Sequence, residues 1–150
     1  ERTTHAEVHN LYGSNMAQAS YEALHQLRPR QRSFVLTRSG FAGIQRWATV
    51  WTGDNQSQWE HLEMSLPMLC NLGLSGVPFV GCDIGGFAGN ATAELFARWM
   101  QVGMLYPFMR GHSALSTADH EPWAFGDRVE RICREYIELR YRLLPYLYTL

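Results

Sequence analysis

No apolar run in this chain reaches the roughly 18 residues that a membrane-spanning helix requires, so a membrane span is not expected. Cysteine is scarce. Cys70, Cys82 and Cys133 are odd in number and widely spaced, which excludes a disulfide or zinc framework and makes them small apolar residues expected in the core. Excess charge of either sign is missing. A net charge of −1, with basic and acidic residues scattered, argues against nucleic acid or an anionic membrane surface as partner. There is no Gly-x-Ser-x-Gly elbow for a serine nucleophile. Gly81, Gly85, Gly86 and Gly89 lack the spacing of a phosphate loop. His5 and His9 flank Glu7 without forming His-Glu-x-x-His, so a metal site is not expected. No signal peptide and no start methionine open the chain, and Glu1 suggests a piece of something longer. Repeats and low-complexity linkers are absent.

What is present is a globular composition, 46% hydrophobic and 18% charged, in about one domain's length. Ala17, Tyr21, Leu24 and Leu27 recur at helical spacing within 14–27, and Pro29 ends that helix. Residues 32–37 read as a buried strand closed by Arg38-Ser39-Gly40, and a second strand spans 47–51. About eight residues link them, where a parallel crossover normally takes about a dozen; the link is compressed or one strand limit is misplaced. Ser57 and Glu60 match a capping box for a helix with Trp59, Leu62, Leu66 and Leu69 on one face, kinked at Pro67 and ended by Gly73. A third strand spans 77–82, with Asp83 directly after it and Gly85-Gly86 beyond. A helix over 90–104 carries Leu95, Phe96, Trp99 and Met100 on one side. A fourth strand spans 106–109, then Arg110-Gly111-His112. Asp127 and Glu130 form another cap pattern, ahead of a helix marked by Val129, Ile132, Cys133, Tyr136 and Ile137. Alternating strands and helices predict an α/β fold with a parallel sheet.

Each strand ends in a polar group: Arg38, Asp54, Asp83, His112. Ligands bind at the carboxyl ends of strands in parallel α/β proteins. Four such ends delivering titratable groups to one rim is the pattern of a (β/α)8 active site, and four strands are half of such a barrel. In 46–55 an aromatic, β-branched run closes in a Thr-Gly turn that presents Asp54. A carboxyl held beside Trp51 and partly hidden from water has its charged form disfavoured, which suits a general acid near neutrality. Each residue also has a plainer reading. Thr-Gly-Asp-Asn is a common surface turn. Asp83 suits a turn or cap, His112 a structural histidine, Arg38 a rim ion pair, and Trp51 and Phe87 the core.

Several blocks together resemble a known family. They are His9-Asn10-Leu11-Tyr12-Gly13, Arg38-Ser39-Gly40-Phe41-Ala42-Gly43, Trp51-Thr52-Gly53-Asp54-Asn55, the run from Gly76 to Phe87, Pro107-Phe108-Met109-Arg110-Gly111-His112, Glu121-Pro122-Trp123, and the run from Arg140 to Tyr148. In order and over nearly the whole chain they resemble the catalytic barrel of the glycoside hydrolase family 31 α-glucosidases and α-xylosidases. The resemblance implies that 1–150 is a partial (β/α)8 TIM barrel, about strands 5 to 8, of a larger retaining α-glucosidase. It implies Asp54 as acid/base, Arg38 and His112 as sugar hydrogen-bonding residues, Asp83 as a rim carboxylate, and Trp51 and Phe87 as aromatic walls. It also implies that the compressed link after Arg38 is real. The family's nucleophile lies in a Trp-x-Asp-Met-Asn-Glu type block upstream of His-Asn-Leu-Tyr-Gly. None of Asp54, Asp83, Asp119 and Asp127 sits in such a block, so the nucleophile and the first half of the barrel are expected outside this chain. The expected partners are an α-linked glucosyl oligosaccharide and that missing half, with no cofactor. Alone, the chain is expected to be inactive and to expose strand edges that associate. An α-xylosidase or other α-glycosidase, or a non-catalytic sugar-binding homologue, is the alternative. The compartment stays open, with the cytoplasm favoured.

Overall fold

In the computed structural model, which describes residues 3–150, helices and short strands alternate. The order is α1 (His5–Leu27), β1 (Leu36–Thr37), a 3-10 turn η1 (Ile44–Arg46), β2 (Thr49–Trp51), α2 (Trp59–Leu74), β3 (Val80–Gly81), β4 (Asp83–Ile84), α3 (Ala93–Gly103), β5 (Arg110–Gly111), η2 (Pro122–Phe125) and α4 (Asp127–Thr149). All pairings among these strands are parallel. Leu36 lies opposite Thr49, Val50 opposite Val80, and Asp83 opposite Arg110. Only Cys82 separates β3 from β4. One run of chain therefore pairs with β2 through its first half and with β5 through its second.

The two-residue period of a strand sorts this run by face. Val80, Cys82 and Ile84 turn toward the helices and are at most 2% exposed. They join Leu62 and Leu69 of α2, Leu95, Phe96, Trp99 and Met100 of α3, and Val129 and Cys133 of α4 in the main core. A second cluster joins Ala17 of α1 to Ile44 and Val77. On the other face the ring of Phe79, just before Val80, meets those of Phe34 and Phe108, with centroids 6.0–6.5 Å apart, and Phe34 and Phe79 are exposed. Arg140 of α4 ties the last strand to α3, donating to the carbonyls of Met104, Tyr106 and Pro107 at 2.6–3.0 Å.

Several local expectations are corrected. The first helix begins at His5, because Glu7 reaches back to accept from the Thr4 amide at 2.7 Å. The compressed link is real, and it is compressed by η1, which folds residues 44–46 between parallel neighbours. Ser57 does not cap α2. Its hydroxyl donates to the Gly89 carbonyl at 3.1 Å, and the cap falls to Gln58. The helix runs past Pro67 and Gly73 to Leu74. The fourth strand is Arg110–Gly111 rather than 106–109: the Tyr106 amide closes a turn onto Gly103, and Pro107 has no amide to give. Gly126 caps α4 through its carbonyl, so Asp127 and Glu130 form no box. Cys82 and Cys133 are buried, but Cys70 is exposed.

Candidate active site

Arg38 and Asp54 stand beyond the carboxyl ends of β1 and β2, while Asp83, expected just past its strand, instead opens β4 opposite Arg110, the first residue of β5. Gly53 takes φ +88° in the turn that follows β2, and Asp54 comes next. Arg38 Nη1, from just beyond β1, donates to Asp54 Oδ1 at 2.9 Å, and the two side chains are 55% and 50% exposed. The sheltered carboxyl expected at Asp54 is therefore not found there. Trp51 is occupied differently as well, with the Arg110 guanidinium 4.9 Å over its ring.

The sheltered carboxyl is Asp83, which is 0% exposed. Its Oδ1 accepts from both Arg110 Nε at 2.9 Å and Nη2 at 2.6 Å, while Oδ2 is buried without a partner among the described residues. Burial pushes the Asp83 carboxyl above its ordinary value, against the pull of Arg110 and His112 and with a smaller push from Asp54. The unpaired Oδ2 explains why burial wins: only one of the two oxygens receives compensation.

Asn55 joins these groups to the aromatic wall. Its side chain is buried, donates Nδ2–H to the Asp83 carbonyl at 2.9 Å, and accepts from the Phe87 amide at 3.0 Å. Phe87 then stacks on His112, with centroids 5.2 Å apart and planes at 28°. Gly86 has to be glycine here. It sits at φ +91°, and a Cβ would lie 2.4 Å from the Ser57 amide nitrogen. Arg38, Asp54, Trp51, Asp83, Phe87 and His112 thus fall into two linked sets, Arg38–Asp54 and Trp51–Arg110–Asp83–Asn55–Phe87–His112. Sequence reasoning missed Arg110 and Asn55 as site residues. Their signals were an arginine two residues before His112 on the neighbouring strand and an asparagine beside the candidate acid.

The loop that carries His112 is laced onto the loop that carries Phe87. The Ala114 amide donates to the Phe87 carbonyl at 2.9 Å, the Ala118 amide to Asn90 Oδ1 at 2.8 Å, and the Ala91 amide to His120 Nε2 at 3.4 Å. His120 is 7% exposed, with its ring centroid 6.0 Å from those of both Phe96 and Phe125. Burial lowers its pKa below 6.5. A histidine depressed in the folded state binds fewer protons there than when unfolded, so its contribution to stability is present above the unfolded value and is lost as pH falls through the folded one. Thermal melting should therefore drop as pH falls below about 6.5, and His120→Gln should remove that part of the drop. An identical pH dependence in the variant would assign the drop to other groups.

Among the described residues no group of three or more His, Cys, Asp and Glu is placed to hold a metal, and no helix is long and apolar enough to cross a membrane. Parallel strands that send Arg38, Asp54, Asp83 and Arg110 to one rim define a parallel α/β protein with its site at the strand ends. The profile of the glycosyl hydrolases family 31 TIM-barrel domain matches residues 1–150. Alpha-glucosidase 2 of Bacillus thermoamyloliquefaciens is 58% identical over 147 residues, which is 98% of this chain and 19% of that protein. Neutral alpha-glucosidase C of Mus musculus is 50% identical over 147 residues, 97% of this chain and 16% of that protein. The crystal structure of a family 31 alpha-glucosidase from Bacteroides thetaiotaomicron superposes with a TM-score of 0.92 at 53% identity, covering 99% of this chain and 25% of that one. The chain belongs to glycosyl hydrolase family 31. It spans less than a fifth of the length of either of these curated relatives.

Proposed function

We propose that residues 1–150 form strands five to eight of a (β/α)8 barrel in a longer retaining α-glucosidase. The four parallel runs, the rim of charged groups and the family membership support this reading. So do the exposed Phe34 and Phe79 on the sheet face away from the helices, and the groove of about 1120 Å³ between α1 and β1. Both lie where a further half barrel would pack. The similar proteins named above carry the name alpha-glucosidase.

One observation carries the mechanism: Asp54 is presented open at a strand end, with Arg38 holding one carboxylate oxygen. Asp54 protonates the glycosidic oxygen as the bond breaks and later takes the proton from water. Retaining cleavage requires a second carboxylate about 5–5.5 Å away as nucleophile, and that group is supplied from upstream. Arg38 keeps donors beyond the one given to Asp54 and offers them to sugar hydroxyls. His112 contributes a further polar contact from its stack on Phe87. Trp51 and Phe87 wall the sugar, and Asp83 locks Arg110 over Trp51. An α-linked glucosyl oligosaccharide is the proposed substrate.

The test is the anomer released by the complete enzyme from an aryl α-glucoside, followed by proton NMR. Appearance of α-glucose before mutarotation is expected; β-glucose as first product would overturn the retaining mechanism, and turnover confined to α-xylosides would overturn the glucoside assignment. The 150-residue chain by itself should release no nitrophenol. Turnover by this chain that Asp54→Asn abolishes would place a nucleophile inside it and overturn the reading that the second carboxylate comes from upstream.

A further inference from the structure

We propose that His61 is a positioning residue that latches the loop carrying Asp54. Its ring Nδ1 accepts from the Gln56 amide at 3.1 Å, and it shares with Asp54 the lining of a cavity of about 90 Å³. The inference rests on the acid/base role proposed for Asp54.

That loop is held unevenly on its two sides. On its upstream side Gly53 has no side-chain neighbour: nothing lies within 4 Å of where its Cβ would be, its φ of +88° is a conformation glycine leaves readily, and its carbonyl is held only from within the loop, by the Asn55 amide at 3.0 Å. The Asp54 side chain is half exposed, and Arg38, its hydrogen-bonding partner, is itself 55% exposed. The aim of the carboxylate therefore depends on the backbone just downstream. Asn55 is pinned toward Asp83 and Phe87, and Ser57 toward Ala88 and Gly89. Between them the Gln56 amide has a single partner among the described residues, the His61 ring.

The position of His61 suits this task. Gln58 caps α2, so His61 stands third in the helix, where a capping-box glutamate or glutamine normally reaches back. Here an imidazole makes the return contact and carries it two residues beyond the cap, into the segment that bears Asp54. An imidazole nitrogen accepts from an amide only when it is unprotonated, so the contact requires the tautomer with hydrogen on Nε2. The cavity is completed by Thr52, Asn55, Met64, Ser65, Met68 and Cys82, which places the ring in the same pocket as the back of the Asp54 loop.

Two variants of the complete enzyme test this. His61→Leu removes the acceptor. His61→Asn keeps one, since its amide oxygen can stand near the former Nδ1. Amide hydrogen exchange over residues 52–58 should accelerate in His61→Leu and return toward the parent rate in His61→Asn. With an α-linked glucosyl disaccharide, whose leaving group needs the proton, kcat should fall about tenfold in His61→Leu with KM changed by less than about twofold, and His61→Asn should recover most of it. A melting temperature taken beside each assay separates a loosened loop from an unfolded barrel. Unchanged exchange and kcat in a folded His61→Leu would overturn the proposal. Equal loss in both variants would also overturn it, because a merely space-filling ring would not be rescued by an acceptor. The exchange arm reads the latch even where the parent hydrolyses no α-glucoside, so failure of the glucosidase reading is told apart from failure of this one.

Discussion

Asp54→Ala in the complete enzyme is expected to slow cleavage of glucosides with sugar or alkyl leaving groups by about 10²–10⁴-fold, the usual range for a general acid or base. Aryl α-glucosides with acidic leaving groups should lose far less in the step that breaks the glycosidic bond, because a phenolate departs without a proton. They should still accumulate the glycosyl-enzyme, since the role proposed for Asp54 includes activating the water that releases it. Azide, a nucleophile that needs no base, should restore part of the aryl glucoside rate. Equal loss on both substrate classes, with no azide rescue, would count against the acid/base role. Arg38 bears on the same experiment. Its guanidinium donates to Asp54 at 2.9 Å, and both groups are open to solvent, so the pair is weak enough for substrate to rearrange.

The second large effect is expected at Asp83. Asp83→Asn should lower kcat/KM by about 10²-fold, because it loosens Arg110 from its place over Trp51, and small misplacements at a reacting centre are costly. Stability should not fall with it. Burial raises the Asp83 pKa in the folded state. The stability this group contributes is thus fully present below the unfolded carboxyl value of about 3.9 and is lost as pH rises through the raised folded value. The ionised carboxylate is the disfavoured form in the fold, and the neutral amide avoids that penalty. Urea unfolding of parent and variant at pH 4 and pH 7 should show the variant gaining relative to the parent at the higher pH. A variant that loses stability mainly at pH 7 would mean that the Arg110 ion pair outweighs the burial of Asp83. A rim residue that costs stability at working pH is what an active site commonly retains.

Not all of this was legible in the letters. Asp54 and Asp83 look alike in sequence, each a carboxylate at a strand end after an apolar run. One proved open and the other sealed. Burial is decided by what packs from elsewhere: Asp83 lies between β5 and the Asn55 side chain, whereas Asp54 projects from a glycine turn with no such cover. Arg110 was visible as a residue but not as a site member, because its importance lies in its contact with Asp83, 27 positions away. The cap of α2 was misplaced by one residue because Ser57 had a better acceptor in Gly89, 32 positions along the chain. The face of α3 was read more securely: Leu95, Phe96, Trp99 and Met100 all proved to be core. The faces read for α1 and α2 were only partly so, since Leu24, Leu27, Trp59 and Leu66 are exposed while Ala17, Leu62 and Leu69 are buried; periodicity marks a face, and what packs on it comes from elsewhere in the fold.

The sequence by itself determined the alternation of helices and strands, the polar residues at the strand ends and the family, because these depend on local periodicity and on ordered motifs. The tertiary structure decided which carboxylate is buried, where Arg110 points, how Asn55 couples the two halves of the rim, and that His61 rather than Glu60 reaches back from α2. The physical reason is the same in each case. A hydrogen bond or a desolvation penalty belongs to a pair of groups, and when the partners lie far apart along the chain, neither one carries its mark alone.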